Sequence, residues 1–444
     1  MSPTNQTEKK TQKKMGLWMC ISLVVGNMIG SGIFVLPAAL AGYGSISIFS
    51  WVITASGAIV LALLFGRLSR LIPKVGGPYA YTKAGFEEFA GFLIAWGYWI
   101  ALWCGNAAVA VAFVGYIGFL LPVVKHYPIL GLSTALIAIW FLTVMNIIGA
   151  RSAGFIQLIT AILKVVPLFL IILFGISHIE VANFTPVNVS QSSHTAAIAA
   201  CATLTLWAFL GLESATVPAG NVANPSKTIP RATIIGTSMA AIIYILITIV
   251  AFGVVPISGL QGSSAPLADM ATSMWGTIGG ILIAVVACIS TFGTLNGFTM
   301  LAGQIPYAAA KDSLFPEIFT RESKSKTPII SLIVSSTFSS ILIAMNFTKG
   351  LVDQFVFIVL LATMTTLIPY LFCAVSEFMI RSKSGKAIKG MEFLSLLILS
   401  GLGFVYAVWT IIGAGKEVVF YGFILLLLGI PVYVWQKYKQ QSAE

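Results

Sequence analysis

Apolar residues run through this chain in long blocks bounded by polar or Gly/Pro clusters. Twelve such blocks, at about 16–40, 46–65, 90–121, 128–148, 155–176, 195–217, 232–255, 275–303, 328–345, 354–376, 391–412 and 418–436, have the length of helices that cross a bilayer. The third is long for one span, so it is either strongly tilted or extends past the bilayer. Lys13-Lys14 ahead of the first block, with Ala39-Leu40-Ala41 at its end, resembles a cleavable signal. The block exceeds the apolar core of such signals, and keeping it as a span gives consistent alternation of the loops.

Lysine and arginine fall between the blocks. One side receives Lys9, Lys10, Lys13, Lys14, Arg67, Arg70, Lys74, Lys83, Arg151, Lys227, Arg231, Lys311, Arg321, Lys324, Lys326, Arg381, Lys383, Lys386, Lys389, Lys437 and Lys439, which is 21 of the 25. The other side receives Lys125, Lys349 and Lys416, and Lys164 lies inside a span. This asymmetry predicts cytoplasmic termini. The net charge of +11 therefore records topology and not a nucleic-acid partner.

Composition excludes most other classes. Of 444 residues 58% are hydrophobic and 9% charged, the mean hydropathy is +0.97, and soluble proteins carry about 25% charged residues. Twelve spans leave no room for a soluble domain. Cys20, Cys104, Cys201, Cys288 and Cys373 are scattered through apolar runs and predict reduced, buried thiols. His126, His178 and His194 fall in or beside outer loops and read as solvated.

Two spans differ from the rest. The first contains Gly26-Asn27-Met28-Ile29-Gly30-Ser31-Gly32, three glycines in mid-span where each costs about 1 kcal/mol relative to alanine. Gly26-x-x-x-Gly30 also fits a helix-packing face, but adjacent Gly-Ser-Gly frees consecutive backbone groups and predicts an interrupted helix. The sixth contains Trp207-Ala208-Phe209-Leu210-Gly211-Leu212-Glu213-Ser214, with an acid placed in mid-span. Glu213 must face protein or water: it is either a structural carboxylate bonded to backbone freed at Gly211, or a gating, proton-handling or ligand group.

Interruptions in the first and sixth spans occupy matching places in two blocks of five, and an odd number inverts the second block. That is the arithmetic of an inverted repeat with substrate bound near the midplane. It divides the chain into a cytoplasmic tail at 1–15, a first repeat at 16–176, a second repeat at 195–376, two extra spans within 391–436 and a tail at 437–444. Half-helix amides at Ser31, Gly32 and Ile33 suit a carboxylate, and half-helix carbonyls near Trp207, Ala208 and Leu210 suit an ammonium. Trp207 and Phe298 are aromatics for an apolar or cationic side chain, or else packing residues. Lys164 is a second intramembrane charge, which either snorkels to an interface or acts as a fixed or switchable cation in place of a coupling metal ion. No phosphate-binding loop, nucleophile with histidine, aspartyl dyad or metal-ligand cluster is present, so transport stands ahead of catalysis, with no cofactor and no metal.

These residues resemble the amino acid–polyamine–organocation (APC) superfamily, most closely its bacterial basic amino acid/polyamine antiporters of arginine/agmatine and putrescine/ornithine type. The likeness runs through Gly26 to Phe34, Pro73-Lys74-Val75-Gly76-Gly77-Pro78-Tyr79-Ala80-Tyr81, Tyr98-Trp99, Gly105-Asn106, Leu206 to Ala215, Asn224-Pro225-Ser226-Lys227-Thr228-Ile229-Pro230-Arg231, Ala309 to Pro316 and Ile368-Pro369-Tyr370. It implies an all-α integral membrane protein, a multi-pass carrier of the bacterial inner membrane with a LeuT-like five-plus-five inverted repeat plus two helices, moving a basic amino acid or polyamine by antiport, with room for a homodimer. Ser31 and Gly32 would then bind the substrate carboxylate, and the Trp207, Ala208 and Leu210 carbonyls its ammonium. Asn27, Ile29, Ala101, Leu102, Asn106, Phe298 and Ala362 would line the remainder. Tyr98, Glu213 and Tyr370 match gating positions, Trp207 a lid, and Lys164 a proton-coupling lysine of neutral amino-acid carriers. Phe298 replaces a tryptophan of the arginine exchanger, Leu102 and Val109 a cysteine and a methionine, and Ala362 a serine. A proton-coupled symporter of neutral amino acids and a non-transporting membrane sensor are the alternatives.

Overall fold

The computed structural model describes residues 15–73, 76–148, 153–216, 219, 222–325, 327–346, 350–385 and 389–442. Lys9, Lys10, Lys13, Lys14, Lys74, Arg151, Lys326, Lys349 and Lys386 of the charge pattern lie outside them, as do Val75 and the first-tail residues 1–14. The described elements are helical: α1 Leu17–Met28, α2 Ser31–Ala41, α3 Ser47–Leu71, α4 Pro78–Leu120, α5 Pro122–His126, α6 Pro128–Ile148, α7 Ala153–Gly175 and α8 His194–Leu206. They continue with α9 Pro225–Val254, α10 Ile257–Leu260, α11 Pro266–Lys311, α12 Ile329–Asn346, α13 Leu351–Lys383, α14 Gly390–Gly413, α15 Lys416–Leu427 and α16 Gly429–Gln441.

Every one of the twelve apolar blocks falls on helix. Among the described residues, nine helices are long and apolar enough to cross a membrane, while Leu163–His178, His194–Phe209 and Ile329–Met345 are shorter apolar helices. Helix starts follow local chemistry. Pro78, Pro122, Pro225 and Pro266 open α4, α5, α9 and α11, where a missing N–H costs nothing, and the Ser193 hydroxyl accepts the Ala196 N–H at 3.3 Å to cap α8.

Several blocks run a turn or two beyond their expected bounds, as α9 does at Pro225 and α13 at Lys383, and three differ in ways that bear on the site. The third begins at Pro78 because a short helix precedes a break at Glu87 (φ 72°), whose polar neighbours Lys83 and Glu88 hide it from a hydropathy reading. The eighth likewise begins at Pro266 and breaks at Gly276 (φ 70°). The sixth, expected to run from 195 to 217, stops being α-helix at Leu206: Trp207–Phe209 is a 3-10 turn and 211–216 are turns.

Two groups of helices meet at the centre. α3 packs extensively on α9 and α8, and α1 on α9, while α4 packs on α13 and α11, with α12 and α6 outside them. All eleven residues of α2 are buried between the groups. Peripheral helices turn apolar side chains outward: Phe169, Leu173 and Phe174 on α7, Leu402, Val405 and Ile412 on α14, and Phe420 and Phe423 on α15. Such faces are tolerable against lipid and not against water. The five cysteines are buried and free, and the three histidines are exposed.

α14 seats on α8 through Gly413, where an added Cβ would lie 2.4 Å from the Ala199 carbonyl oxygen and 2.5 Å from Thr203 Oγ1. Gly413→Ala is expected to destabilise the purified protein by about 1–3 kcal/mol. Thermal melting checks this against Gly401→Ala, which adds a methyl where nothing lies within 4 Å and should be close to neutral.

Candidate functional site

The first interruption is two residues long. The Ile29 N–H still reaches the Val25 carbonyl at 2.8 Å, and the Gly30 N–H turns back to Met28 at 2.9 Å. Gly30 then takes φ −127° and ψ −135°, and α2 restarts at Ser31. The first amides of α2 have no carbonyl above them, so Ser31, Gly32 and Ile33 present N–H groups and the positive end of a helix in the interior. Gly30 is crowded as well as bent, since a Cβ there would sit 2.7 Å from Thr294 Cγ2.

The second interruption faces it. Leu210 is extended (φ −63°, ψ 132°) after the 3-10 turn, and Gly211 takes φ +105°, a region glycine enters without strain. A Cβ on Gly32 would lie 3.1 Å from the Ala208 Cβ and 3.3 Å from the Trp207 ring, so the two broken helices touch at this point. The Trp207 indole N–H donates to Ser31 Oγ at 3.3 Å. Of the three expected ammonium acceptors, the Trp207 carbonyl takes the Leu210 N–H at 3.1 Å and the Ala208 carbonyl takes the Tyr244 hydroxyl at 2.9 Å. A carbonyl has two lone pairs, so these bonds fix its direction and leave acceptor capacity.

Glu213 is 1% exposed. The Tyr98 hydroxyl on α4 donates to its Oε1 at 2.7 Å, and the Tyr370 hydroxyl on α13 donates to Oε2 at 2.6 Å. The Gly211 N–H also donates to Oε2 at 3.2 Å. Three donors make the buried carboxylate tolerable, and bonds to an ionised acceptor are the stronger kind. The structural and gating readings of Glu213 thus share one geometry: the carboxylate uses the amide freed at Gly211 and ties its segment to two helices of the other group. Asn27 adds a parallel tie, donating from Nδ2 to Ser214 Oγ at 2.8 Å.

Lys164 does not snorkel. Its ammonium is 1% exposed and donates to the Gly26 carbonyl at 3.2 Å and to Thr294 Oγ1 at 2.8 Å. It therefore joins α7 to the last turn of α1 and to α11, beside the first interruption, through two neutral acceptors.

Asn27, Tyr98, Ala101, Leu102, Leu210, Glu213 and Phe298 line one small cavity, with Gly211, Ser214, Leu301 and Thr366. Its volume is about 20 Å³, about the room one water needs, so the site is in a closed packing. Other expected residues stand apart from this lining. Asn106 turns toward α11 and donates to Thr299 Oγ1 at 3.1 Å. Ala362 is buried in α13, its carbonyl accepting the Thr365 and Thr366 hydroxyls. Ser31, Gly32, Trp207 and Ala208 meet where the broken helices touch, and Ile29 is buried at the first break.

Ser214, Thr366, Tyr244, Thr294 and Gly105 belong to the site without having been singled out. Ser214 and Gly105 at least lie in the motifs quoted above; Tyr244 and Thr294 carry no local signal. The larger cavity, about 690 Å³, lies at the opposite end of α2 from the break, between Ala38, Tyr43, Val111, Lys125, Gln261 and Asp353.

Trp207 and Phe298 pack with ring centroids 5.9 Å apart, directly over Gly105, where a Cβ would lie 2.6 Å from Phe298 Cε1 and 2.9 Å from Trp207 Cη2. Gly105→Ala is expected to force the rings apart and weaken binding of a small zwitterion about tenfold, read as a smaller ligand-induced rise in melting temperature. An unchanged rise places the ligand away from these rings.

The amino acid permease family model matches residues 15–433. The chain is 33% identical to the cadaverine/lysine antiporter of Escherichia coli (strain K12), with 97% of this chain and 96% of that protein covered. It is 31% identical to the putrescine transporter PotE of Haemophilus influenzae, covering 96% and 98%, and 31% identical to the arginine/ornithine antiporter of Pseudomonas aeruginosa, covering 97% and 92%. With two broken helices meeting at the centre and similarity along nearly its whole length, this chain belongs to the amino acid permease family of the APC superfamily.

Proposed function

We propose that this chain is a secondary active antiporter that exchanges a basic amino acid for a related amino acid or polyamine by alternating access. The observation that supports the reading is the close approach of Gly32 to Ala208 and the Trp207 ring, which brings the start of α2 against the second break. An α-amino acid offers one carboxylate and one ammonium, and this arrangement offers one donor edge and one acceptor edge. The names of the relatives supply the side-chain class.

The twelve-span, five-plus-five organisation gains support from where the backbone fails. Breaks fall at Ile29–Gly30 and Leu210–Gly211 in the first and sixth apolar blocks, and at Glu87 and Gly276 at the head of the third and eighth. These are the first and third members of each five. In this reading both termini are cytoplasmic and the protein sits in the inner membrane. The 690 Å³ cavity then opens outward. In this reading the inner side is closed by the Tyr79 hydroxyl donating to Asp312 at 2.5 Å, Lys83 pairing with Asp312 at 3.4 Å, and Glu213 held by Tyr98 and Tyr370.

One observation favours a second reading. Lys164 holds the Gly26 carbonyl just ahead of the first break, so its proton is linked to the shape of the substrate wall, as a proton-coupled symporter of neutral amino acids requires. Lys164→Gln in proteoliposomes separates the two: one-for-one counterflow of basic amino acid should stay within about twofold of the parent if the chain is an exchanger. Uptake whose pH dependence vanishes in the variant identifies the symporter. Absence of any flux of labelled amino acid from the unaltered protein would reveal a sensor.

Trp207→Ala removes the ring that covers the site. Apparent KM for a basic amino acid should rise roughly tenfold, in keeping with about 1–2 kcal/mol for a desolvated cation–π contact, with protein abundance unchanged. Counterflow kinetics check this, and an unaltered KM removes Trp207 from the substrate wall.

A further inference from the structure

Two turns below the Glu213 site, a second buried carboxylate goes unused by the exchange reaction described above. Glu377 on α13 is 1% exposed. Arg67 on α3 grips it with both arms of the guanidinium, Nε donating to Oε2 at 2.8 Å and Nη2 to Oε1 at 2.9 Å. Arg381, one turn along α13, donates from Nε to Oε1 at 2.9 Å and pairs through Nη2 with Glu392 on α14 at 3.0 Å. A forked pair of this kind fixes geometry as well as charge, because the two parallel bonds admit one relative orientation of the helices.

The position of Glu377 on α13 gives that orientation a consequence. Seven residues separate it from Tyr370, nearly two helical turns, so the two side chains share a face. α3 touches the same face twice, through Arg67 on Glu377 and through Phe65, whose ring meets Tyr370 edge-on at 5.3 Å. Immediately before Tyr370 stands Pro369. It cannot donate to the Thr365 carbonyl, and the Thr365 and Thr366 hydroxyls bond back to carbonyls of their own helix, a combination that weakens and bends helices. α13 therefore has a soft point at 365–369. The segment below it, from Tyr370 to Lys383, is tied to α3 by the Arg67–Glu377 fork and to α4 by the Phe86–Phe372 ring contact and the Cys373–Pro78 and Lys383–Glu87 bonds.

We propose that Arg67 and Glu377 are the positioning pair of the inner gate: the fork holds the lower segment of α13 where the Tyr370 hydroxyl reaches Glu213, and its release lets that segment swing about Pro369. The proposal rests on the reading of Tyr98, Glu213 and Tyr370 as a gate. A salt bridge serving only as glue predicts loss of stability; a positioning pair predicts that the region just under the gate becomes accessible while the rest of the fold stays closed.

Cys373 reports that region. It lies one turn below Tyr370, is 2% exposed, and its thiol points at the Pro78 carbonyl at 3.7 Å. The test uses full-length protein in proteoliposomes with Cys20, Cys104, Cys201 and Cys288 replaced by alanine, and follows the rate of Cys373 alkylation by a membrane-permeant maleimide. Glu377→Gln and Arg67→Gln should each speed labelling about tenfold or more, and Arg67→Lys, which keeps the charge and loses the fork, should fall between. A second background retaining only Cys201, buried in α8, should remain protected in the same variants. Labelling of Cys373 within about twofold of the parent, or equal exposure of Cys201, overturns the proposal. Tyr370→Phe separates the two levels: faster labelling there without any effect of Glu377→Gln sinks the positioning pair and leaves the gate standing, whereas no effect of Tyr370→Phe sinks the gate itself. Should Glu377→Gln fail to fold, the graded Arg67→Lys measurement decides alone.

Discussion

A helix interrupted in the middle of an apolar protein must find new partners for the amides and carbonyls it releases, since lipid supplies none. Every unusual feature at the centre of this molecule answers that constraint. Gly211 gives its amide to the Glu213 carboxylate, the Ala208 carbonyl takes the Tyr244 hydroxyl, and Gly26, at the end of α1, takes the Lys164 ammonium. The α2 amides remain directed into the interior beside Ser31. What the protein does not satisfy from within is, in the proposed function, satisfied by substrate.

Some of the same bonds reach across the two helix groups: Glu213 is bonded to Tyr98 on α4 and Tyr370 on α13. Asn27 joins the two broken segments through Ser214, and Lys164 ties α7 to Thr294 on α11. None of these residues lies on the element it holds. Breaking the helices therefore creates a binding surface and a set of cross-links whose rearrangement moves one group against the other. Around the 20 Å³ cavity the side chains meet directly, while the end of the molecule near Tyr43 and Asp353 stays open. That asymmetry is what one end state of an alternating-access cycle requires.

Much of this was legible along the chain, and the losses have physical causes. Gly30-Ser31-Gly32 marks the first break because two glycines flanking a serine in mid-span free consecutive backbone groups, which helix packing alone does not need. Glu213 draws attention because a lone acid in an apolar run must have partners. Hydropathy does not say which partners, because it carries nothing about separation in space: Tyr98 and Tyr370 were marked only by the family resemblance, and Thr294, the partner of Lys164, by neither. The sixth block is also overextended, because Leu210, Leu212 and Ala215 continue the apolar pattern through the turns at 211–216 in spite of Glu213 and Ser214. Lys83, Glu87 and Glu88 had the opposite effect, concealing the short helix at the head of α4. Asn106 and Ala362 fall on the expected helices but outside the cavity lining, Asn106 turning instead to Thr299, a placement that a linear pattern does not encode.

The central claim is that the backbone released at two breaks holds both ends of one amino acid. A cryo-EM map of the protein with a basic amino acid bound tests it most directly. The account predicts ligand density between the α2 amides at Ser31–Gly32 and the Trp207 to Leu210 carbonyls, with both helices unwound there. Continuous helix through residues 17–41 and 194–217, or density for the amino acid held at another place, contradicts it.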